Sequence, residues 1–170
     1  MSVRISNNTM EVFNPATGED ITNISMTTLQ ELDSILQTAK AGAKNYNYSS
    51  FFRRQKLMTQ LQKGIVRRTD EFIDTICSET GKKPDEGLME VFISLEHIKQ
   101  SSHHLYEALG KRSRRSGILK TRKAWVEYEP MGVAGIISPW NYPLILTASP
   151  LVEALLAGNS VILKPSEHTP

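Results

Sequence analysis

Between Ser138 and Pro143 the chain reads Ser-Pro-Trp-Asn-Tyr-Pro, a neutral amide beside an indole, fixed between two prolines. Twenty-three residues beyond Asn141 it reads Lys164-Pro165-Ser166-Glu167, an ammonium three positions before a carboxylate. A side-chain amide aimed at a carbonyl can hold the negative charge that develops on oxygen when a nucleophile adds, worth about 10²–10³ in rate per donor. An ammonium and a carboxylate at that separation can bracket a sugar diol by hydrogen bonds. Each residue also has a plainer role: Asn favours turns and caps, Trp140 can be core, and Lys164 and Glu167 can be solvated charges in a loop.

Both segments follow apolar runs. Gly-Val-Ala-Gly-Ile-Ile-Ser (132–138) and Ser-Val-Ile-Leu (160–163) have the continuous apolar character of fully buried strands. Leu144 to Ala157 reads as a helix, with Gly158 as its terminator. Strand, helix and strand in that order predict a parallel crossover unit. Ligands collect at the carboxyl ends of such strands. If the strands are neighbours, the Trp140-Asn141 and Lys164–Glu167 loops share a crevice.

The preceding residues must frame that unit. Phe13 to Glu19 (FNPATGE) is rich in turn formers. Thr28 and Glu31 form a capping-box pattern ahead of a helix over roughly 28–44. A second helix runs through Leu57, Leu61 and Ile65. A third begins near Thr69 or Asp70 and stops at Gly81. A fourth starts at Pro84, with Asp85 and Glu86 at its positive end. Its apolar face is read as Leu88, Phe92, Leu95, Ile98, Leu105 and Leu109, ending at Gly110. The first 110 residues are thus expected to be mainly amphipathic helices. Residues 119–130 partly alternate and predict an exposed antiparallel strand or arm.

Bulk properties bound the function. At 170 residues, 39% hydrophobic, the chain can build an ordinary core. The net charge of +2 names no partner, but residues 111–123 hold seven Lys or Arg and no acid. That stretch lacks interleaved aromatics, so a solvated or interface strand is expected rather than a specific nucleic-acid site. One cysteine, Cys77, excludes an internal disulfide and suits a reducing cytoplasm. It lies inside a helical pattern and is read as a small buried side chain, not a nucleophile. His103 and His104 cannot face one way, so no metal site is expected. No run of 18 apolar residues stands out as a membrane span, and no secretory leader is visible.

Together, EPMGVAGIISPWNYPL (129–144) and EALLAGNSVILKPSEHTP (153–170) resemble the NAD(P)-dependent aldehyde dehydrogenase superfamily. FNPATGE, the Arg-led helix at Arg53–Leu61 and ETGKKPDEGLMEV (79–91) extend the resemblance over most of the chain. It implies an α/β fold: N-terminal helices (1–110), the start of an antiparallel oligomerisation arm (111–130), and part of a Rossmann-like dinucleotide-binding domain with an incomplete parallel sheet (131–170). It implies oxidation of an aldehyde to a carboxylic acid, with hydride passed to NAD or, alternatively, NADP. Asn141 would be the oxyanion donor. Lys164 and Glu167 would hold the adenine-side ribose, and Ile137, Ser138, Pro139 and Trp140 would lie along the cofactor. A carboxylate at Glu167 leans toward NAD, because it repels a 2′-phosphate. The family does not use the GxGxxG fingerprint, so the presence of only Gly132 and Gly135 in this stretch is no objection.

The family's nucleophilic cysteine and general-base glutamate lie beyond the KPSE segment, and this sequence ends three residues after Glu167. The 170-residue polypeptide is therefore expected to be the front part of a longer homo-oligomeric enzyme, inactive by itself. Two alternatives stand beside that: a non-catalytic interaction module, and part of a semialdehyde-specific or CoA-acylating relative.

Overall fold

The computed structural model describes residues 3–170. It opens with a three-stranded antiparallel sheet: β1 (Val3–Ser6), β2 (Thr9–Phe13) and β3 (Asp20–Ser25), with β2 in the centre. Only β2 alternates clearly in burial, through Met10 and Val12. Sequence reading took this region as a turn-rich prelude to helices and missed the sheet. The strands are four to six residues long, and their pairing partners, not their own periodicity, hold them.

The helices follow. α1 (Leu29–Tyr46) begins in the expected capping box, where the Thr28 N–H donates to Glu31 at 2.7 Å and the Glu31 N–H donates to Thr28 Oγ1 at 3.3 Å. α2 (Phe51–Arg67) is capped by Ser50. α3 (Thr69–Thr80) ends at Gly81, whose φ of +73° supplies the left-handed cap. α4 (Pro84–His103) starts with proline at its first position.

Two expectations for α4 are corrected. It stops at His103, and a short α5 (Leu105–Leu109) follows as a separate turn. The Gln55 side chain donates to the Ser102 carbonyl at 2.8 Å and occupies an acceptor the continuous helix would use. The buried face is also rotated. Gly87, Glu90, Val91, Ser94 and Ile98 point inward, while Leu88 and Phe92 are more than half exposed. Against α3, α2 and α6 (Pro143–Leu156), α4 contributes to a core that includes Met58, Ile65, Ile76, Val91, Ile98 and Val152.

The basic stretch lies in a small hairpin. β4 (Arg112–Arg114) pairs antiparallel with β5 (Ala124–Val126), Ser113 opposite Trp125. Lys111 Nζ sits 3.9 Å from the Trp125 ring centroid and 2.7 Å from Glu127. Residues 115–123 form the connection, so the alternation read over 119–130 yields a strand only at its centre.

Then come β6 (Val133–Ile137), α6, and β7 (Ser160–Lys164), with β6 and β7 parallel. Their register runs from Val133 opposite Ser160 to Ile137 opposite Lys164. Asn159, nearly buried, latches the start of this pair: its side chain accepts from the Gly132 N–H at 3.0 Å and donates to the Ala154 carbonyl at 3.2 Å. Gly158 ends α6 with φ +93°. Beside it the buried Arg54 guanidinium donates to the Leu156 carbonyl at 3.0 Å and the Asn47 carbonyl at 2.8 Å, tying the last turns of α6 and α1 together. Among the described residues no helix is long and apolar enough to cross a membrane.

Candidate functional site

The parallel register brings the carboxyl ends of β6 and β7 side by side. Past Ile137 the ladder continues for one more bond, from the Ser138 N–H to the Lys164 carbonyl at 3.1 Å. Both chains then turn. On one side Pro139, Trp140, Asn141 and Tyr142 form an exposed loop leading into α6. On the other, Pro165 to Thr169 folds into a tight turn, in which Ser166 Oγ accepts from the His168 N–H at 3.2 Å and the Ser166 carbonyl accepts from the Thr169 N–H at 3.2 Å.

The two loops meet. Trp140 stands edge-on to His168, with ring centroids 6.3 Å apart. Lys164 Nζ lies 3.6 Å from the Glu167 carboxylate and donates to the Pro165 carbonyl at 3.0 Å. Both charges are solvent-exposed. The Glu167 carboxyl is held below its ordinary range, first by its own backbone N–H and then by the Lys164 charge. Ile137, Trp140 and Tyr142 expose apolar surface at the same rim. Ser138 is buried, and among the described residues neither its Oγ nor the buried Thr169 Oγ1 has a hydrogen-bond partner. Asn141 is exposed, one residue beyond Trp140, and its side-chain amide makes no hydrogen bond to the described residues.

Behind the Asn141 loop lies a group that sequence reading passed over. α6 has no side-chain cap of its own, since Tyr142 occupies the cap position and Pro143 the first turn. The carboxylate of Glu90, fully buried on α4, supplies it. One oxygen accepts from the Leu144 N–H at 2.8 Å and the Ile145 N–H at 3.4 Å, and the other accepts from Lys82 Nζ at 2.8 Å. Lys82 Nζ also sits 4.0 Å from the centroid of the Tyr142 ring. The signal was present: Glu90 falls on the same helical stripe as Gly87, Val91, Ser94 and Ile98, where a carboxylate needs a partner.

Cys77 is remote in role from this rim. It sits partly buried on α3 against α4, with Sγ close to Gly87. Burial, then the nearby carboxylates of Asp74, Glu86 and Asp85, push its thiol up, away from the nucleophilic thiolate form.

A sequence profile of the Aldehyde dehydrogenase family matches residues 3–170. The chain belongs to that family. It is 31% identical, over 97% of its length, to the 2-hydroxymuconic semialdehyde dehydrogenase of Pseudomonas sp. (strain CF600), and covers 35% of that protein. It superposes with a TM-score of 0.90 and 22% identity on an aldehyde dehydrogenase from Brucella melitensis biovar abortus 2308, covering 95% of this chain and 33% of that one. The NADP-dependent glyceraldehyde-3-phosphate dehydrogenase of Bacillus halodurans C-125, solved with NADP, matches with a TM-score of 0.89 and 25% identity, over 96% of this chain and 35% of that one. The aldehyde dehydrogenase segment thus spans about a third of the length of the curated relatives it matches. Its helices and partial parallel sheet belong to the mixed α/β, Rossmann-like fold of these neighbours.

Proposed function

We propose that this chain supplies the oxyanion amide and part of the cofactor rim of an NAD(P)-dependent aldehyde dehydrogenase that converts an aldehyde to a carboxylic acid. The observation that carries the reading is the junction of the two strand-end loops, joined by the Ser138–Lys164 backbone bond and the Trp140–His168 contact. Asn141 is the donor: a neutral amide with free N–H groups offers hydrogen bonds to oxygen as charge develops there, without competing as an acid.

The rim fits a nicotinamide dinucleotide. Lys164 and Glu167 present a cation and an anion to ribose hydroxyls. Ile137, Pro139 and Trp140 offer apolar surface, and the orphaned Ser138 hydroxyl offers a polar contact beneath it. When bound, the cofactor accepts the hydride from the substrate. Glu167 favours NAD; the NADP-dependent Bacillus neighbour supports NADP as the alternative. A semialdehyde substrate is supported by the name of the Pseudomonas relative. We assign the β4–β5 hairpin to contact between subunits of a cytoplasmic homo-oligomer.

We place the nucleophile outside these 170 residues, because the one cysteine, Cys77, lies on α3 with its thiol pushed up by burial. The test is formation of reduced nicotinamide from aldehydes by the complete gene product and by the isolated 170-residue polypeptide. Turnover by the first and none by the second is expected. Turnover by the isolated polypeptide, or none by the complete product across a broad aldehyde panel, overturns the reading.

A further inference from the structure

We propose that Lys82 and Glu90 are positioning residues for Asn141, forming a clamp on both sides of the Tyr142–Pro143 step; this rests on the reading of Asn141 as the oxyanion donor. A turn that must aim an amide has to be held on its far side, because a misplacement of about 1 Å can cost about 10² in rate. Nothing local does this. Pro143 lacks an N–H, Tyr142 makes no side-chain cap, and Asn141 bonds to nothing described. The hold comes from more than 50 residues upstream. One oxygen of Glu90 takes the first two N–H groups that α6 can offer, those of Leu144 and Ile145. Its negative charge also complements the positive end of that helix. The other oxygen takes Lys82, whose ammonium lies over the face of Tyr142. The residues immediately before and after Pro143 are therefore both fixed by one ion pair, and Asn141 is the next residue outward.

The arrangement goes beyond what a stabilising ion pair requires. A buried pair replaced by apolar groups is often neutral or favourable for stability. Here one carboxylate is divided between a lysine and a helix start, and the lysine between a carboxylate and an aromatic ring. All of these contacts converge on the segment that follows the amide.

The test uses the complete gene product and compares Glu90→Gln, Lys82→Met, Asn141→Ala and the Glu90→Gln/Asn141→Ala double variant. Glu90→Gln can still offer an oxygen to Leu144 while losing the charge. We expect kcat per titrated active site to fall about ten-fold or more in Glu90→Gln and Lys82→Met, with the KM for the cofactor within about two-fold of wild type. We expect Glu90→Gln to cause no further loss of kcat once Asn141 is already alanine, the signature of one residue acting through the other. Equal losses in both backgrounds, or an unchanged kcat with a lowered Tm, would show a structural ion pair only and overturn the proposal. If Glu90→Gln fails to fold, Lys82→Met decides alone, because it leaves the bonds from Glu90 to α6 intact. If Asn141→Ala leaves kcat unchanged, the oxyanion reading fails. Hydrogen exchange then decides the clamp: faster exchange at Tyr142, Leu144 and Ile145 in Lys82→Met and Glu90→Gln supports it, and unchanged exchange overturns it.

Discussion

Trp140 and His168 stand edge to face, 6.3 Å between centroids and 80° between planes, although 28 residues separate them in the chain. The contact sits where two parallel strands end, and it joins the loop bearing the amide to the loop bearing Lys164 and Glu167. In the proposed reading it is part of a wall that both loops present to the dinucleotide. Trp140→Ala in the complete gene product is expected to raise the KM for the cofactor about five-fold, consistent with an aromatic contact of about 1 kcal/mol, and to change kcat less. Steady-state kinetics at saturating aldehyde give the split.

Asn141→Ala removes the proposed oxyanion donor and leaves Trp140, Lys164 and Glu167 in place. The expected loss is about 10²–10³ in kcat, with the cofactor KM unchanged. Isothermal titration with NAD would show binding intact while turnover collapses.

Lys164→Ala and Glu167→Gln test the proposed contacts to the ribose. Each is expected to weaken NAD by about 10–100-fold, the range for a hydrogen bond to a charged group. Glu167→Gln should also narrow the preference for NAD over NADP, since the 2′-phosphate no longer meets a carboxylate. The measurement is kcat/KM for both cofactors on the variant and the parent.

Glu79 gives a stability prediction with a definite sign. Burial pushes its carboxyl from an ordinary 4.5 up to about 7. The folded chain then holds a proton that the unfolded chain releases, so stability falls as pH rises from about 4.5 to about 7 and stays low above that window. Glu79→Gln should raise Tm above about pH 7 and leave it unchanged below about pH 4.5. Thermal unfolding across that range checks both halves.

Two glycines with positive φ should respond differently to alanine. At Gly158 a Cβ would fall 2.6 Å from an Arg54 guanidinium nitrogen and 2.8 Å from Pro130. Gly158→Ala adds overpacking to backbone strain and should cost about 2–4 kcal/mol. At Gly81 the nearest atom would be 3.5 Å away, so only the left-handed backbone is penalised, at about 1 kcal/mol. Urea unfolding of the two variants measures the difference.

What sequence reading recovered was chiefly local. Thr28 and Glu31 lie three residues apart and cap each other. Gly81 and Gly158 mark helix ends because the backbone there needs a positive φ. The two apolar runs became a parallel pair because each was a continuous buried strand separated by one helix. What escaped was set by distant partners. Glu90 looks like a helix-surface acid until α6 arrives to use it. Leu88 and Phe92 looked like core until Glu90 and Ser94 took the inward side. The β1–β3 sheet escaped because β1 alternates over only four residues, Val3 to Ser6, and β3, Asp-Ile-Thr-Asn-Ile-Ser, does not alternate.

The latch at Asn159 has a reach well beyond its neighbourhood. In a pleated strand successive side chains face opposite ways, so a slip of one residue against β6 would turn Lys164 away from its present side and set Leu163 there instead. The amide that forbids such a slip stands about 16 Å from the lysine, at the opposite end of the pair. The side on which Lys164 stands at one tip of this sheet is thus written in the spelling of a turn at the other.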